Sequence, residues 1–289
     1  MLLWLGLHYA WQPLPLSREL ALALFVLALA LVSIGLLSSL LHLGQPTRAW
    51  RALSQWQTSW LSREGVLAVI SYAPALGLIS LIWLGTLSLP AQALGVLLAL
   101  TALATVSATA MIYASLRTVP AWHDWRVLPV YLLYSVLSGS LIVMAVLSMT
   151  GWQPTTTQRS AVGLGLIALG GLKLSYWLAL NRSELVPDRS SALGLAAASD
   201  IRGFERPHTE QSFITREMGF VLARKHARVL RLAALTCSML LPLLALLASA
   251  QLAPRSGLLA GAAALLLGAV IERWLFFAEA RHVVMRYYP

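Results

Sequence analysis

Seven stretches of the chain are apolar without interruption, and the polar positions gather between them. They lie at 20–41, 65–86, 91–115, 128–149, 161–180, 229–251 and 257–279. A helix needs roughly 20 apolar residues to cross the hydrocarbon of a bilayer, so each stretch is long enough to span. The apolar runs are continuous rather than alternating, which excludes a transmembrane β-barrel. The pattern predicts an all-α fold, a polytopic membrane helical bundle of about seven transmembrane helices. Short turns, SLPAQ at 88–92 and QLAPRSG at 251–257, tie neighbouring spans into hairpins. Pro74 and Pro242 fall inside spans, where neighbouring helices can satisfy the freed carbonyls. Gly163, Gly165, Gly170 and Gly171 in the fifth span predict close helix packing.

Two connections are long and polar, 42–64 and 181–228. The second is the one sizeable extramembrane segment, so residues 1–289 read as a single transmembrane domain with one large loop. Its end, EMGFVLARKHARVLR, reads as a helix entering the sixth span. At the N-terminus MLLWLGL is too short for a signal h-region and lacks a basic n-region.

Composition agrees with the pattern. Hydrophobic residues make up 58% of the chain and charged residues 11%, against about 25% charged in soluble chains. Cys237 is the single cysteine, which excludes a disulfide framework and a cysteine-ligated metal. The net charge of +10 does not point to nucleic acid, because Lys and Arg accumulate on one side of membrane proteins. Fifteen of the 21 Lys and Arg residues fall on the face that carries 42–64, 116–127, 181–228 and the C-terminus. Arg18, Arg159 and Arg255 fall on the other, and Lys173, Arg231 and Arg273 lie within or at the edge of spans. The basic loops and the C-terminus are therefore expected in the cytoplasm.

Haem would need paired histidines near mid-span. His8, His42, His123, His208, His226 and His282 all stand elsewhere, so no haem and no metal site are expected in this chain. Zinc-protease, P-loop and nucleophile-elbow motifs are absent. The informative group is His42 at the end of the first span, then Gln45, Arg48 and Arg51, with Glu64 opening the second span. A quinone headgroup needs a hydrogen-bond donor, a proton carrier and apolar walls. Histidine titrates near neutrality, and Trp50, Trp56 and Trp60 offer walls at headgroup depth. Spacing alone favours a plainer reading, in which His42 ends a helix and the tryptophans form an aromatic belt. Arg48 and Arg51 either steady negative charge on a reduced quinone or bind partner and lipid phosphates, the second being preferred. Lys173, Glu272 and Glu279 are charges assigned to spans, where ionisable groups are costly. Glu272 and Glu279 are seven apart, on nearly one helix face. They serve either as a proton path or as structural ion pairs with Lys173 or Arg231, and spacing does not separate the two.

The segments HLGQPTRAWRAL (42–53), SWLSREG (59–65), YASLRTVPAWH (113–123), FITREMGFVLARKH (213–226) and ERWLFFAEARH (272–282) resemble the membrane-anchor subunit of dimethyl-sulfoxide-reductase-type molybdoenzymes. The resemblance covers essentially the whole chain. It implies a haem-free helical anchor in a bacterial inner membrane, holding an iron–sulfur subunit and a molybdopterin catalytic subunit. Such an anchor exchanges electrons with menaquinone or ubiquinone in anaerobic respiration or sulfite oxidation. The resemblance also places the quinone site at His42 and Glu64 and tips that pair toward the quinone reading. Family members have eight spans, so MLLWLGL reads as the end of a missing first helix, followed by a loop HYAWQPLPLSRE, and points to a late-assigned start codon. In the sulfoxide reductases the catalytic subunits face the periplasm. The charge bias here suits the cytoplasmically oriented sulfite dehydrogenase branch instead. Two rivals stand beside this reading. One is a secondary transporter with Lys173 and Glu272 in its path, disfavoured because no internal repeat is evident. The other is a purely structural tether.

Overall fold

A computed structural model of the chain describes residues 1–11, 15–40, 45–86, 89–182, 225–251 and 254–283. Among these residues the elements are helices joined by turns, with no strand. They are α1 (Leu2–Trp11), α2 (Arg18–Leu40), a 3-10 turn (Pro46–Arg48), α3 (Trp50–Leu53), α4 (Trp60–Leu84), α5 (Leu89–Ala114), α6 (Val127–Met149) and α7 (Thr156–Arg182). Then follow α8 (Ala227–Leu235), a π turn (Thr236–Leu240), α9 (Leu241–Gln251) and α10 (Pro254–Ala278). The rod from Ala227 to Gln251 counts as one span, and with α2, α4, α5, α6, α7 and α10 makes seven membrane-crossing helices. Leu247, Ile34 and Trp83 are among many large apolar side chains more than 60% exposed, a surface only lipid can cover. The chain is a multi-pass membrane protein.

The span edges follow from local chemistry. The second expected span begins earlier than its apolar run, at Trp60, because the Ser59 hydroxyl accepts from the Ser62 amide and caps the helix. Glu64 thus stands inside the helix rather than opening it. The same helix ends at Gly85, whose φ of 70° lets the chain turn left-handed. Pro242 explains the π turn. A proline ring collides with the carbonyl four residues back, and the widened turn Thr236–Leu240 makes room for it. The large loop begins beyond 181, since α7 runs to Arg182, and 183–224 lies outside the described residues.

The core divides into two halves. Phe25, Leu5, Leu78 and Leu98 centre one, built from α1, α2, α4 and α5. Leu141, Leu166, Leu258 and Leu265 centre the other, built from α6, α7, α9 and α10. In each half the first and fourth helices pack together, as do the third and fourth. The third helices each carry a proline, Pro74 or Pro242. The two halves thus share which of their helices pack together. A third cluster, with Trp122, Tyr176, Trp177 and Phe276, joins the halves at the end that carries the basic loops. There the Val283 amide donates to Thr118 O at 3.0 Å, placing the 116–127 connection and the C-terminal segment on the same face.

Helix α1 extends to Trp11, so HYAW is helical and not loop as expected. It lies against α5 where Gly6 meets Gly95. A Cβ on Gly95 would stand 2.6 Å from Gly6 O, and one on Gly6 would stand 2.7 Å from Gly95 O. In the fifth span a Cβ on Gly165 or Gly170 would strike Leu137 or Met239, whereas Gly171 faces open space. Gly95→Val is accordingly expected to cost about 1–3 kcal/mol by overpacking. Gly171→Ala is expected to be neutral or slightly stabilising. Thermal unfolding of the detergent-solubilised protein checks both, and equal Tm values for the two variants would contradict the packing.

Candidate functional site

Polar side chains cluster within the bundle near its basic end. On α4, Glu64 is the fifth residue, about 6 Å below the helix start at 1.5 Å per residue. Its Oε1 accepts from Thr109 Oγ1 of α5 at 2.7 Å. Among the described residues Glu64 is in no ion pair. Tyr113 lies one turn beyond Thr109 on the same face of α5, within electrostatic reach of both Glu64 and Arg273. The Tyr113 ring stacks on Tyr131 of α6 at 6.2 Å and meets Phe276 and Phe277 of α10 edge-on at 5.6 and 5.3 Å. Tyr113 is thus the joint between the halves.

Across that joint, Glu272 is 1% exposed and faces two cations. Lys173 Nζ of α7 lies 2.5 Å from its Oε1, and Arg273 Nη2 lies 2.5 Å from its Oε2. Lys173 also sits over the rings of Tyr176 and Trp177, at 4.2 and 4.7 Å. Arg273 lies 4.0 Å over Tyr131, and its Nη1 is buried without a hydrogen-bond partner among the described residues. Glu279 was expected in the last span on the face of Glu272. The helix stops at Ala278, so Glu279 falls in the turn beyond and takes a different partner, Arg231 of α8, at 2.7 Å. Arg231 also donates to Asn181 at 2.9 Å. Burial pushes the Glu279 carboxyl up, and the nearby Arg231 opposes that shift.

The remaining predicted site residues are His42, Arg48 and Arg51. His42 lies outside the described residues. Arg48 and Arg51 are exposed, Arg51 stacking 5.5 Å from the Trp50 ring. Trp50 and Trp56 are exposed too, while Trp60 carries Arg63 over its face at 4.3 Å. Helix α3 nevertheless abuts the first turns of α4, since the Ser62 hydroxyl donates to Ala52 O. Thr109, Tyr113 and Tyr131 were not singled out from sequence. A hydroxyl or phenol on an apolar helix gives no signal until its neighbour is known, although Tyr113 opens the segment YASLRTVPAWH. Among the described residues no group of His, Cys, Asp and Glu could hold a metal ion.

A family model for the DMSO reductase anchor subunit (DmsC) matches residues 12–278. The chain belongs to that family. A sulfite dehydrogenase subunit of Allochromatium vinosum is 33% identical over 280 residues, covering 91% of this chain and 84% of that protein. The anaerobic dimethyl sulfoxide reductase chain YnfH of Escherichia coli is 31% identical over 175 residues, 56% of this chain and 60% of its own length. No solved structure matches. The chain is thus a membrane anchor subunit of the DMSO reductase and sulfite dehydrogenase type, and membership removes the support for a transporter.

In this DmsC-family chain Glu272 is the buried charge whose loss is most damaging. Glu272→Gln leaves Lys173 and Arg273 without a counter-charge and is expected to cost about 3–5 kcal/mol. Glu279→Gln, at the bundle rim, is expected to cost less. Yield and thermal stability of the membrane-extracted variants give the comparison, and a Glu272→Gln protein as stable as the parent would contradict it.

Proposed function

We propose that this chain passes electrons between an iron–sulfur subunit and the quinone pool, with the quinone headgroup bound beside Glu64 at the basic end of the bundle. The complex, of sulfite dehydrogenase or dimethyl sulfoxide reductase type, also holds a molybdopterin catalytic subunit. Support for the partners comes from the relatives, which are named as parts of such enzymes.

One observation carries the quinone reading: a carboxylate one turn inside the start of a membrane-crossing helix, held by Thr109 and in no ion pair among the described residues. A carboxylate that serves structure at such depth is neutralised, as Glu272 is. One left without a cation is available to carry a proton. The side chains fit a headgroup. Glu64 and Tyr113 offer polar atoms, and Tyr131, Phe276 and Phe277 offer apolar walls. A quinone takes up two electrons and two protons on reduction and returns them on oxidation. Electrons enter or leave through the iron–sulfur subunit. Glu64 takes a proton from water at the basic end or gives it back, and Thr109 holds the carboxylate in register.

His42 belongs to this reading as the hydrogen-bond donor implied by the family resemblance. Of the two uses open to Lys173, Glu272 and Glu279, a proton path or structural ion pairs, the pairing of Glu272 with Lys173 and of Glu279 with Arg231 supports the structural one. The exposure of Arg48 and Arg51 supports binding of lipid or partner phosphates. Glu279 and the basic loops sit at the end proposed to face the cytoplasm.

Glu64→Gln keeps an oxygen for Thr109 but cannot carry a proton. In the intact membrane complex it is expected to lower quinone-coupled turnover by about 100-fold or more, with dye-coupled turnover preserved. His42→Ala is expected to behave alike. Unchanged quinone-coupled turnover in both variants would leave the chain a passive tether.

A further inference from the structure

A second feature lies away from Glu64, in the groove between α7 and the rod that begins with α8. Its mouth is a cavity of about 750 Å3 lined by Asn181, Lys225, Arg228 and Arg231, among others, with no acidic residue among the described residues of the lining. Arg228 and Arg231 are three apart on α8, and Lys225 stands just before the His226 cap of that helix. Arg231 is held in place by Glu279 and Asn181. Lys225 and Arg228 are exposed and, among the described residues, in no ion pair.

Deeper in the membrane the groove changes character. On α7 the stripe of Asn181 continues as Leu178 and Leu174, which are 55% and 45% exposed. On α8 the exposed residues below the mouth are Val229 and Leu232, at 67% and 66%. Cations stand at the level where α7 ends and the rod begins its span, and apolar walls stand below them. A soluble anion or a peripheral protein would use the mouth alone. An amphiphile with an anionic head uses both.

We infer that this groove binds one anionic phospholipid, its phosphate at Lys225 and Arg228 with the Asn181 amide beside it, and its acyl chains along Leu178 and Leu174 on α7 and Leu232 on α8. Basic pockets between membrane helices are suited to such headgroups. The site is separate from the quinone reading and does not depend on it.

The test uses the intact complex in nanodiscs of phosphatidylcholine and phosphatidylglycerol in equal parts. Phosphatidylglycerol retained after release into detergent is counted by native mass spectrometry. The parent is expected to keep one phosphatidylglycerol in preference to phosphatidylcholine. Lys225→Gln with Arg228→Gln is expected to weaken retention by about 30-fold, two headgroup cations being lost. Leu178→Trp fills the apolar floor while leaving both cations, and is expected to expel the lipid as well. All three side chains are exposed, so their replacement disturbs no core. Retention unchanged in either variant overturns the proposal. So does displacement of the bound lipid by inorganic phosphate, which would mark a free-anion site. Loss of the iron–sulfur subunit from the double variant with lipid retained would assign the face to protein docking and overturn it too.

Discussion

Burying Glu272 at 1% exposure inside a membrane bundle is tolerable because two cations meet its two oxygens. The geometry of the basic end follows from that arrangement. Lys173 pins α7 to α10, and its ammonium is sandwiched against Tyr176 and Trp177. Arg273, held to Glu272 on one side, lies over Tyr131 on the other. Tyr131 in turn stacks with Tyr113, which carries α5 and the first half of the bundle. A chain of contacts thus runs from one buried carboxylate to the joint between two four-helix halves.

That joint separates two carboxylates by role. Glu272 is fully compensated and ties helices together. Glu64 has a threonine hydroxyl and, among the described residues, no cation. The bundle thus holds one carboxylate paired with two cations and one held, among the described residues, by a threonine hydroxyl. The rings of Tyr113, Tyr131 and Phe276 pack together at this joint. The proposed exchange with quinone rests on this asymmetry.

Much of the architecture was legible from periodicity, because lipid imposes a length and an apolar character that one sequence displays. All seven spans appear within a few residues of their expected places. The shifts have local causes, such as the Ser59 cap that draws Trp60 and Glu64 into α4. Family membership was legible from short polar segments at the basic end. The geometry of the site was less so. Which cation each of Glu272 and Glu279 would meet depended on the neighbouring helices, α7 supplying Lys173 to one and α8 supplying Arg231 to the other. Thr109 and Tyr113 became visible only when α5 was laid against α4 and α6.

Quinone binding at the seam beside Glu64 is tested most directly by photolabelling the intact complex with an azido-quinone, followed by peptide mapping of the adducts. Adducts are expected on the first turns of α4 and the last turns of α5, suppressed by excess unlabelled quinone. Competable labelling confined to other helices, or to another protein of the complex, would contradict a quinone site at this seam.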